Sequence, residues 1–212
     1  MKTIPIIFLD PYFIVVSKPA GILSVPAPGK KEAAALSVIL PKQLNEKHLF
    51  PCHRLDKETS GLIIFAKGTE ARDKMFALFK QRTVKKKYLA FIQGRPGKIT
   101  GAVSSFIDGR KAVTKYTVLN TDRDFSVVEA EPVTGRRNQI RIHMKSIGHP
   151  IVGERKFSFG KDYELKFRRC ALHAYKIEFI HPYTEKLICL RNALPDDMKA
   201  FLEKNNVRLR LK

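Results

Sequence analysis

The densest group of polar and ionisable side chains lies between residues 51 and 61, in the sequence P-C-H-R-L-D-K-E-T-S-G. It directly precedes an apolar run that begins at Leu62. Functional side chains favour loops supported by rigid elements, and a carboxylate at the edge of a core can have its ionisation tuned. Asp56 is therefore a candidate catalytic group. The alternative is that Asp56, Thr59 and Ser60 only form a turn that starts the strand, and composition alone favours that alternative.

A second candidate group lies between residues 134 and 147, where the spacing predicts a helix. Arg137, Arg141 and Lys145 are four residues apart and would form a cationic stripe beside an apolar one. One of these arginines could reach a carboxylate, and a guanidinium close to a partly buried aspartate keeps it ionised. A solvated basic face is the simpler interpretation of the same stripe.

The third candidate is Tyr88, which directly follows Lys85, Lys86 and Lys87. Lysines that contact phosphates, next to an aromatic ring that stacks on a base, are used to hold an extruded or single-stranded base. The commoner outcome for such a tyrosine is a place in the core with its hydroxyl satisfied.

Several other chemistries lack support. The sequence contains no G-x-x-x-x-G-K-[ST] loop, no G-x-G-x-x-G turn, no H-E-x-x-H pair and no G-x-S-x-G elbow. We therefore expect no nucleotide cofactor and no metal. The three cysteines, Cys52, Cys170 and Cys189, share no C-x-x-C spacing, which disfavours a disulfide framework and a zinc ribbon and fits a reducing cytoplasm.

The charge balance is the unusual feature of the composition. The 212 residues include 40 Lys and Arg against 20 Asp and Glu, giving a net charge of +20. Such a chain repels itself unless it meets a polyanion, so nucleic acid is the expected partner. The apolar N-terminal stretch is interrupted at Asp10-Pro11, and it is too short for a signal peptide or a membrane span. We expect a soluble protein that does not bind membranes.

The elements that position these groups alternate irregularly, which predicts an α+β fold with a mixed, mostly antiparallel central sheet flanked by helices and loops. A hairpin that turns at Asp10-Pro11 should open the fold. The run 61–66 suits a strand buried on both faces. Further strands are predicted at 88–93, 112–120, 125–130, 174–180 and 186–190.

Helices are predicted at 33–40, at 69–82 with Thr69 as the N-cap residue, at 134–147, and as a short basic element after Pro195. No repeat, long linker or shift in composition divides the chain. We therefore expect residues 1–212 to form a single catalytic domain, which could have two lobes.

Taken together, these segments resemble the RluA family of pseudouridine synthases. H-R-L-D-K-E-T-S-G-L-I-I-F-A-K at 53–67 is similar to the family's catalytic motif. K-K-K-Y-L-A at 85–90 is similar to its tyrosine motif, and G-R-R-N-Q-I-R-I-H-M-K-S-I-G-H-P-I-V-G at 135–153 to its arginine motif. Shorter similar pieces are V-V-S-K-P-A-G-I-L-S-V-P near the start, and L-H-A at 172–174 followed by H-P-Y-T at 181–184. The resemblance therefore spans nearly the whole chain in order, which is more specific than any single short pattern.

The resemblance implies isomerisation of uridine to pseudouridine in tRNA or large-subunit rRNA, without a metal or cofactor. We expect the protein to be a monomer. It implies that Asp56 is the nucleophile, that Arg141 pairs with it and that Tyr88 stacks on the uracil. Among substrate-binding residues, it implies that Arg54 fills the gap left by the flipped nucleotide and that Leu172 lines the base pocket. Thr59, within the catalytic motif, is also expected to contact substrate.

The sequence departs from the family pattern at two places beside Arg141. Arg137-Asn138 stands where the family has [TS]-H, and Glu154 stands where it has Asp. We expect RNA preference to be affected more than catalysis. The chain also begins at the opening strands, so we expect no S4 RNA-binding domain. Target selection would then depend on basic residues of the catalytic domain, namely Lys30, Lys31, Lys85–Lys87, Arg208, Arg210 and Lys212.

Two rival functions remain open from the sequence. A non-catalytic RNA-binding protein or assembly factor could keep the same scaffold, although it has no evident reason to hold a carboxylate near a polyanion. A DNA-binding module is the weaker rival, because no helix-turn-helix or zinc-finger pattern is visible.

Overall fold

A computed structural model of the chain describes residues 3–27, 35–157 and 165–209. The strands are β1 (Ile6–Leu9), β2 (Phe13–Lys18), β3 (Leu49–Pro51), β4 (Ser60–Lys67), β5 (Lys85–Gln93), β6 (Thr100–Ile107), β7 (Arg110–Thr121), β8 (Phe125–Pro132), β9 (Leu172–Ile180) and β10 (Leu187–Arg191). The helices are α1 (Leu36–Leu44), α2 (Thr69–Gln81), α3 (Gln139–Ser146) and α4 (Asp196–Lys204). The predicted α+β class with a mostly antiparallel sheet is confirmed.

The chain divides into two compact units, one of residues 1–85 with 174–192 and the other of residues 86–173 with 193–212. The expectation of a single catalytic domain over 1–212 stays a prediction. Within the described ranges, no helix is both long and apolar enough to cross a membrane.

The first unit contains strands in the order β1-β2-β4-β9, with β10 beside β9 and β3 also paired with β4. The predicted opening hairpin is confirmed, since β1 and β2 pair antiparallel and Asp10 Oδ1 accepts the N–H groups of Tyr12 and Phe13 at 2.7 and 2.6 Å. β4 is buried on both faces, as its continuous apolar sequence predicts. Leu62 and Ile64 pack with Met75 of α2, and Ile63 and Phe65 with α1.

The second unit contains the antiparallel strands β5-β8-β7-β6. Phe201 of α4 contacts the rings of Phe91 and Phe125, at centroid distances of 5.6 and 5.0 Å. At the start of α4, the guanidinium of Arg169 donates to both carboxylate oxygens of Asp197, at 2.7 and 2.8 Å. These contacts fix α4 on the sheet that carries β5.

Several element boundaries differ from the predictions. Residues 33 and 34 lie outside the described residues, and α1 runs from Leu36 to Leu44 rather than ending at 40. The N-cap residue of α2 is Gly68, at φ 95°, rather than Thr69, which is already helical. The predicted helix at 134–147 is helical only at Gln139–Ser146. α4 begins with Asp196 and Asp197, so it is not a basic helix.

Two strands were not predicted, β3 and β6. β3 has only three residues. β6 contains Gly101, Ser104 and Ser105, which weaken the strand signal, and Phe106 is 76% exposed although its type predicts burial. The alternation of buried and exposed positions is therefore not visible in the residue types.

Candidate active site

The loop that contains Asp56 joins β3 to β4 in the first unit. Asp56 is half-buried, and its backbone carbonyl accepts the Thr59 N–H at 3.1 Å. This hydrogen bond closes a backbone turn, whereas the Asx or Ser/Thr turn considered from the sequence, which uses a side-chain oxygen, stays a prediction. The Thr59 side chain is 2% exposed, and its hydroxyl oxygen has no hydrogen-bond partner within the described part of the chain. A substrate contact by Thr59 stays a prediction.

Lys18, at the end of β2, anchors the loop after Asp56. Its side chain is fully buried, which is costly for an ammonium group unless its donors are satisfied. The ammonium donates to three backbone carbonyls at 3.0, 2.9 and 3.3 Å, those of Pro19, Ile22 and Lys57. The Gly21 N–H also donates to the Lys57 carbonyl, at 2.8 Å. The segment after β2 and the Asp56 loop are therefore held together by a buried charge.

Ser24 anchors the loop on the other side of Asp56. Its hydroxyl accepts the Leu55 N–H at 2.9 Å and donates to the Leu55 carbonyl at 2.8 Å. Two residues earlier, His53 Nε2 accepts the Ile64 N–H at 3.1 Å. Arg54, between these anchored positions, is exposed. The backbone around Asp56 is thus fixed while the Arg54 side chain reaches solvent.

Lys18 and Ser24 were not predicted from the sequence to support the Asp56 loop. The available signal was their place in the segment V-V-S-K-P-A-G-I-L-S, where a lysine directly before proline interrupts an apolar strand. A lysine in that position predicts the exposed end of a strand, because lysines are almost never fully buried unless they are paired.

Tyr88 lies in β5 of the second unit, opposite Ala130 of β8. Its side chain is 8% exposed, so most of the ring is packed inside the protein. The burial fits the core-packing alternative, and a stacking role on uracil stays a prediction.

The lysines before Tyr88 are less available than the sequence indicated. Lys85 lies 3.5 Å from Glu178, and Lys87 lies 2.6 Å from Glu129. Burial lowers the pKa of Lys86 below its ordinary value of 10.5. Two of the three ammonium groups therefore already have carboxylate partners, which reduces the positive charge that this run offers to phosphates.

Arg141 lies on α3, which begins only at Gln139. The expected stripe of Arg137, Arg141 and Lys145 on one helix is wrong, because Arg137 precedes the helix. Asn138 has a left-handed backbone at φ 53°. The Gln139 side-chain oxygen accepts the Arg136 N–H at 3.0 Å and the Thr134 hydroxyl at 2.6 Å. These contacts stabilise a turn where the spacing predicted a first helical turn.

The guanidinium of Arg141 is held from three sides. Nε and Nη2 donate to the two carboxylate oxygens of Glu154, at 2.6 and 2.7 Å. Nη1 donates to the side-chain oxygen of Asn138 at 3.1 Å, and the Phe157 ring centroid lies 5.2 Å from the guanidinium carbon. Since Arg141 is 7% exposed, these contacts define its orientation in the interior. Of the three residues that depart from the family pattern, two, Asn138 and Glu154, are among its partners.

Glu154 is itself tightly bound. Its side chain is inaccessible to solvent, and it accepts the backbone N–H groups of Lys156 and Phe157 at 2.8 and 3.2 Å. The Cys170 thiol lies 3.4 Å from Oε2. Burial alone would raise the pKa of this carboxyl, but the hydrogen bonds from Arg141 and Lys156 and the charge of Arg141 hold it below its ordinary value of 4.5. Glu154 is therefore ionised beside Arg141.

The predicted site residues fall in both units. Asp56, Arg54 and Thr59 belong to the first, whereas Tyr88, Arg141 and Leu172 belong to the second. Leu172, at the start of β9, is 3% exposed. The pairing of Asp56 with Arg141 and the joint role of these residues stay predictions. Within the described ranges, no three His, Cys, Asp or Glu side chains come together so as to hold a metal ion.

A comparison with known proteins assigns the chain to a family. Residues 12–146 match the model of the family described as RNA pseudouridylate synthase. The chain belongs to this family. The matched segment contains Asp56, Tyr88 and Arg141, and the resemblance seen in the sequence motifs is confirmed.

Members of the RNA pseudouridylate synthase family are found among curated relatives. The chain is 33% identical to the ribosomal large subunit pseudouridine synthase D of Nitrosomonas europaea, over 93% of this chain and 64% of that protein. It is 36% identical to the dual-specificity RNA pseudouridine synthase RluA of Pasteurella multocida, over 85% of this chain and 89% of that protein. The chain thus spans less than two thirds of the first of these relatives.

The fold has a counterpart among solved structures. The human RNA Pseudouridylate Synthase Domain Containing 4 matches with a TM-score of 0.82, over 97% of this chain and 94% of that chain, at 24% identity. This likeness shows that the chain has the pseudouridine synthase fold, as expected from the sequence.

Proposed function

We propose that the chain is an RNA pseudouridine synthase that isomerises specific uridines of tRNA or large-subunit rRNA. The observation that carries this proposal is the H-R-L-D-K-E-T-S-G loop, which holds Asp56 between backbone anchors at Leu55 and Lys57. Family membership supports the reaction class. The relatives' names include one that refers to the large ribosomal subunit and one that refers to dual specificity.

In the proposed reaction Asp56 attacks either the ribose C1′ or the uracil C6 of the target uridine. The bond between N1 and C1′ breaks, the base rotates, and a new bond forms between C5 and C1′. The proton on C5 leaves to solvent while N1 gains one, so the reaction is an isomerisation without net oxidation. A carboxylate suits the step because it attacks when ionised and leaves again afterwards. No redox cofactor is needed for this balance.

The other residues have supporting roles in the proposal. Arg141, fixed by Glu154, keeps Asp56 ionised, and Tyr88 stacks on the uracil. Arg54 is exposed, as an arginine that enters the gap left by a flipped nucleotide must be. Flipping costs a few kcal/mol of stacking, which such an insertion and phosphate contacts offset. Leu172 lines the base pocket, and Thr59 contacts the substrate. The protein acts as a monomer in the cytoplasm.

The rival hypothesis, that the chain is a non-catalytic RNA-binding protein, makes a different prediction. Purified protein is incubated with unmodified tRNA and large-subunit rRNA fragments labelled with tritium at C5 of uridine. Release of tritium to water, with pseudouridine at defined positions, supports the proposal. Binding of these RNAs without tritium release would favour the rival. Comparing pseudouridine maps of total RNA from cells with and without the protein would then identify the target.

A further inference from the structure

The hairpin formed by β6 and β7 exposes a face with an unusual composition. Phe106 lies opposite Lys111, and Ala102 lies opposite Lys115. Because alternate residues of a strand point to the same side, these four side chains share one face, called here the outer face. All four are exposed, and Phe106 is 76% exposed. A single exposed apolar side chain is common on protein surfaces, so its surroundings decide whether it has a role.

Basic residues outnumber acidic residues in the segment that forms the hairpin. Residues 94–121 contain five exposed basic residues and one acidic residue, Asp108. The basic residues are Arg95, Lys98, Arg110, Lys111 and Lys115. Glu131 of β8 lies opposite Lys115 and offsets its charge, so the outer face is most basic at Lys111, opposite Phe106. Arg110 pairs with Ile107, so its side chain points to the other side of the hairpin at the exposed end of β7. Side chains directly opposite each other in a sheet are about 5 Å apart, which places the Lys111 ammonium group within reach of a phosphate whose base contacts Phe106.

The inner face of the same hairpin is fixed to α3. The buried His143 ring bridges both strands, with Nδ1 2.8 Å from the Thr114 hydroxyl and Nε2 3.1 Å from the Ser105 hydroxyl. Gln139 Nε2 donates to the Val113 carbonyl at 2.9 Å. A rigid surface loses little conformational entropy when it binds. Since α3 also carries Arg141, the outer face has a defined position relative to Arg141 within the second unit.

We propose that the outer face of the β6–β7 hairpin binds a single-stranded RNA segment that flanks the target uridine. Phe106 stacks on an unpaired base, while Lys111 contacts a neighbouring phosphate. Aromatic platforms flanked by cations bind single strands in this way with little sequence preference. A second copy of the chain is the poorer occupant, because two copies of this face would bring like charges together. The inference rests on the proposed RNA substrate.

A tryptophan substitution tests the stacking directly, because the chain contains no tryptophan. The emission of Phe106→Trp should be quenched when oligouridine RNA is added. The control is Leu187→Trp, at a position that is 60% exposed on β10 of the first unit, and its emission should stay unchanged. Unquenched emission at position 106, or equal quenching at both positions, would overturn the proposal.

Affinity measurements give a second readout. Phe106→Ala should raise the Kd for oligouridine RNA about fivefold or more, whereas Phe106→Tyr should keep it within about twofold. Lys111→Ala should reduce the slope of log affinity against log salt by about one. An unchanged Kd in Phe106→Ala would overturn the proposal. So would a result in which Phe106→Ala converts a dimer to a monomer but keeps its RNA affinity.

The same variants separate this inference from the proposed function. If the unsubstituted protein binds RNA but forms no pseudouridine, the proposed function fails while the Phe106 measurements still test the surface. If the unsubstituted protein forms pseudouridine and Phe106→Ala binds RNA equally well, only the surface proposal fails.

Discussion

Arg141 and Glu154 form a buried bidentate ion pair, with Nε 2.6 Å from Oε2 and Nη2 2.7 Å from Oε1. The arginine lies on α3, whereas the glutamate lies in a loop 13 residues further along the chain. The N–H groups of Lys156 and Phe157 fix the carboxylate on its other side. The pair therefore stabilises the connection between helix and loop, and it orients a guanidinium that the family resemblance assigns to catalysis.

Removing one partner of this pair should be strongly destabilising. Glu154→Ala leaves the Arg141 charge buried without its main partner, so the free energy of unfolding should fall by about 3 kcal/mol or more. Urea denaturation followed by circular dichroism measures the change. Lys199→Ala is the control, since the Lys199–Asp196 pair is solvent-exposed and should contribute less than about 1 kcal/mol. A loss at Glu154 no larger than that of the control would contradict the account of a buried, coupled pair.

Gly61 should tolerate no side chain. It is the second residue of β4, its φ is +119°, and a Cβ atom there would overlap the backbone of Ala174. Gly61→Ala should therefore cost about 3 kcal/mol or more of stability, or prevent folding. Gly97→Ala is the matched control, because a Cβ atom there meets nothing within 4 Å. Comparable melting temperatures for the two variants would show that β4 and β9 are not packed as described.

The protein should lose stability as the pH falls below about 6.5, partly through His143. Burial lowers the pKa of His143 below its ordinary value of 6.5, so the unfolded chain takes up a proton at a higher pH than the folded protein. Stability therefore rises with pH across this window and falls on acidification. Urea denaturation at several pH values gives the free energy of unfolding as a function of pH. The slope of this dependence should be smaller for His143→Gln than for the unsubstituted protein. His48→Gln, at an exposed position, serves as the control, and an equal change of slope in both variants would refute the role of His143.

The sequence predicted the parts of the fold whose signals are local. The apolar run in β4 and the Asp10 turn are both specified by neighbouring residues, and both agree with the structure. The helix around Arg141 was predicted five residues too long at its start, because the turn depends on the left-handed Asn138 and on side-chain bonds of Gln139. Spacing alone does not encode such contacts.

The site was predictable where a motif specified residue types, and less so where distant groups meet. Asp56 and Arg141 were assigned to the site from their motifs, and that assignment stays a prediction. Glu154 was noticed only as a departure from the family pattern, and its role as the partner of Arg141 required coordinates. Lys18 was missed because a buried lysine that binds backbone carbonyls looks in sequence like an exposed strand end. Burial and long-range hydrogen bonds are properties of the tertiary structure, so the contacts of Glu154 and Lys18 could not be predicted from the sequence.

The Asp56→Asn variant tests the central claim most directly, because it removes the proposed nucleophile while nearly preserving side-chain size. Pseudouridine formation on tRNA and large-subunit rRNA should fall below detection, measured by tritium release from C5-labelled uridine. RNA affinity should be kept or slightly increased, since the variant removes a negative charge near a polyanion. Loss of turnover with retained binding is the predicted result. Turnover at a rate close to that of the unsubstituted protein would contradict the account.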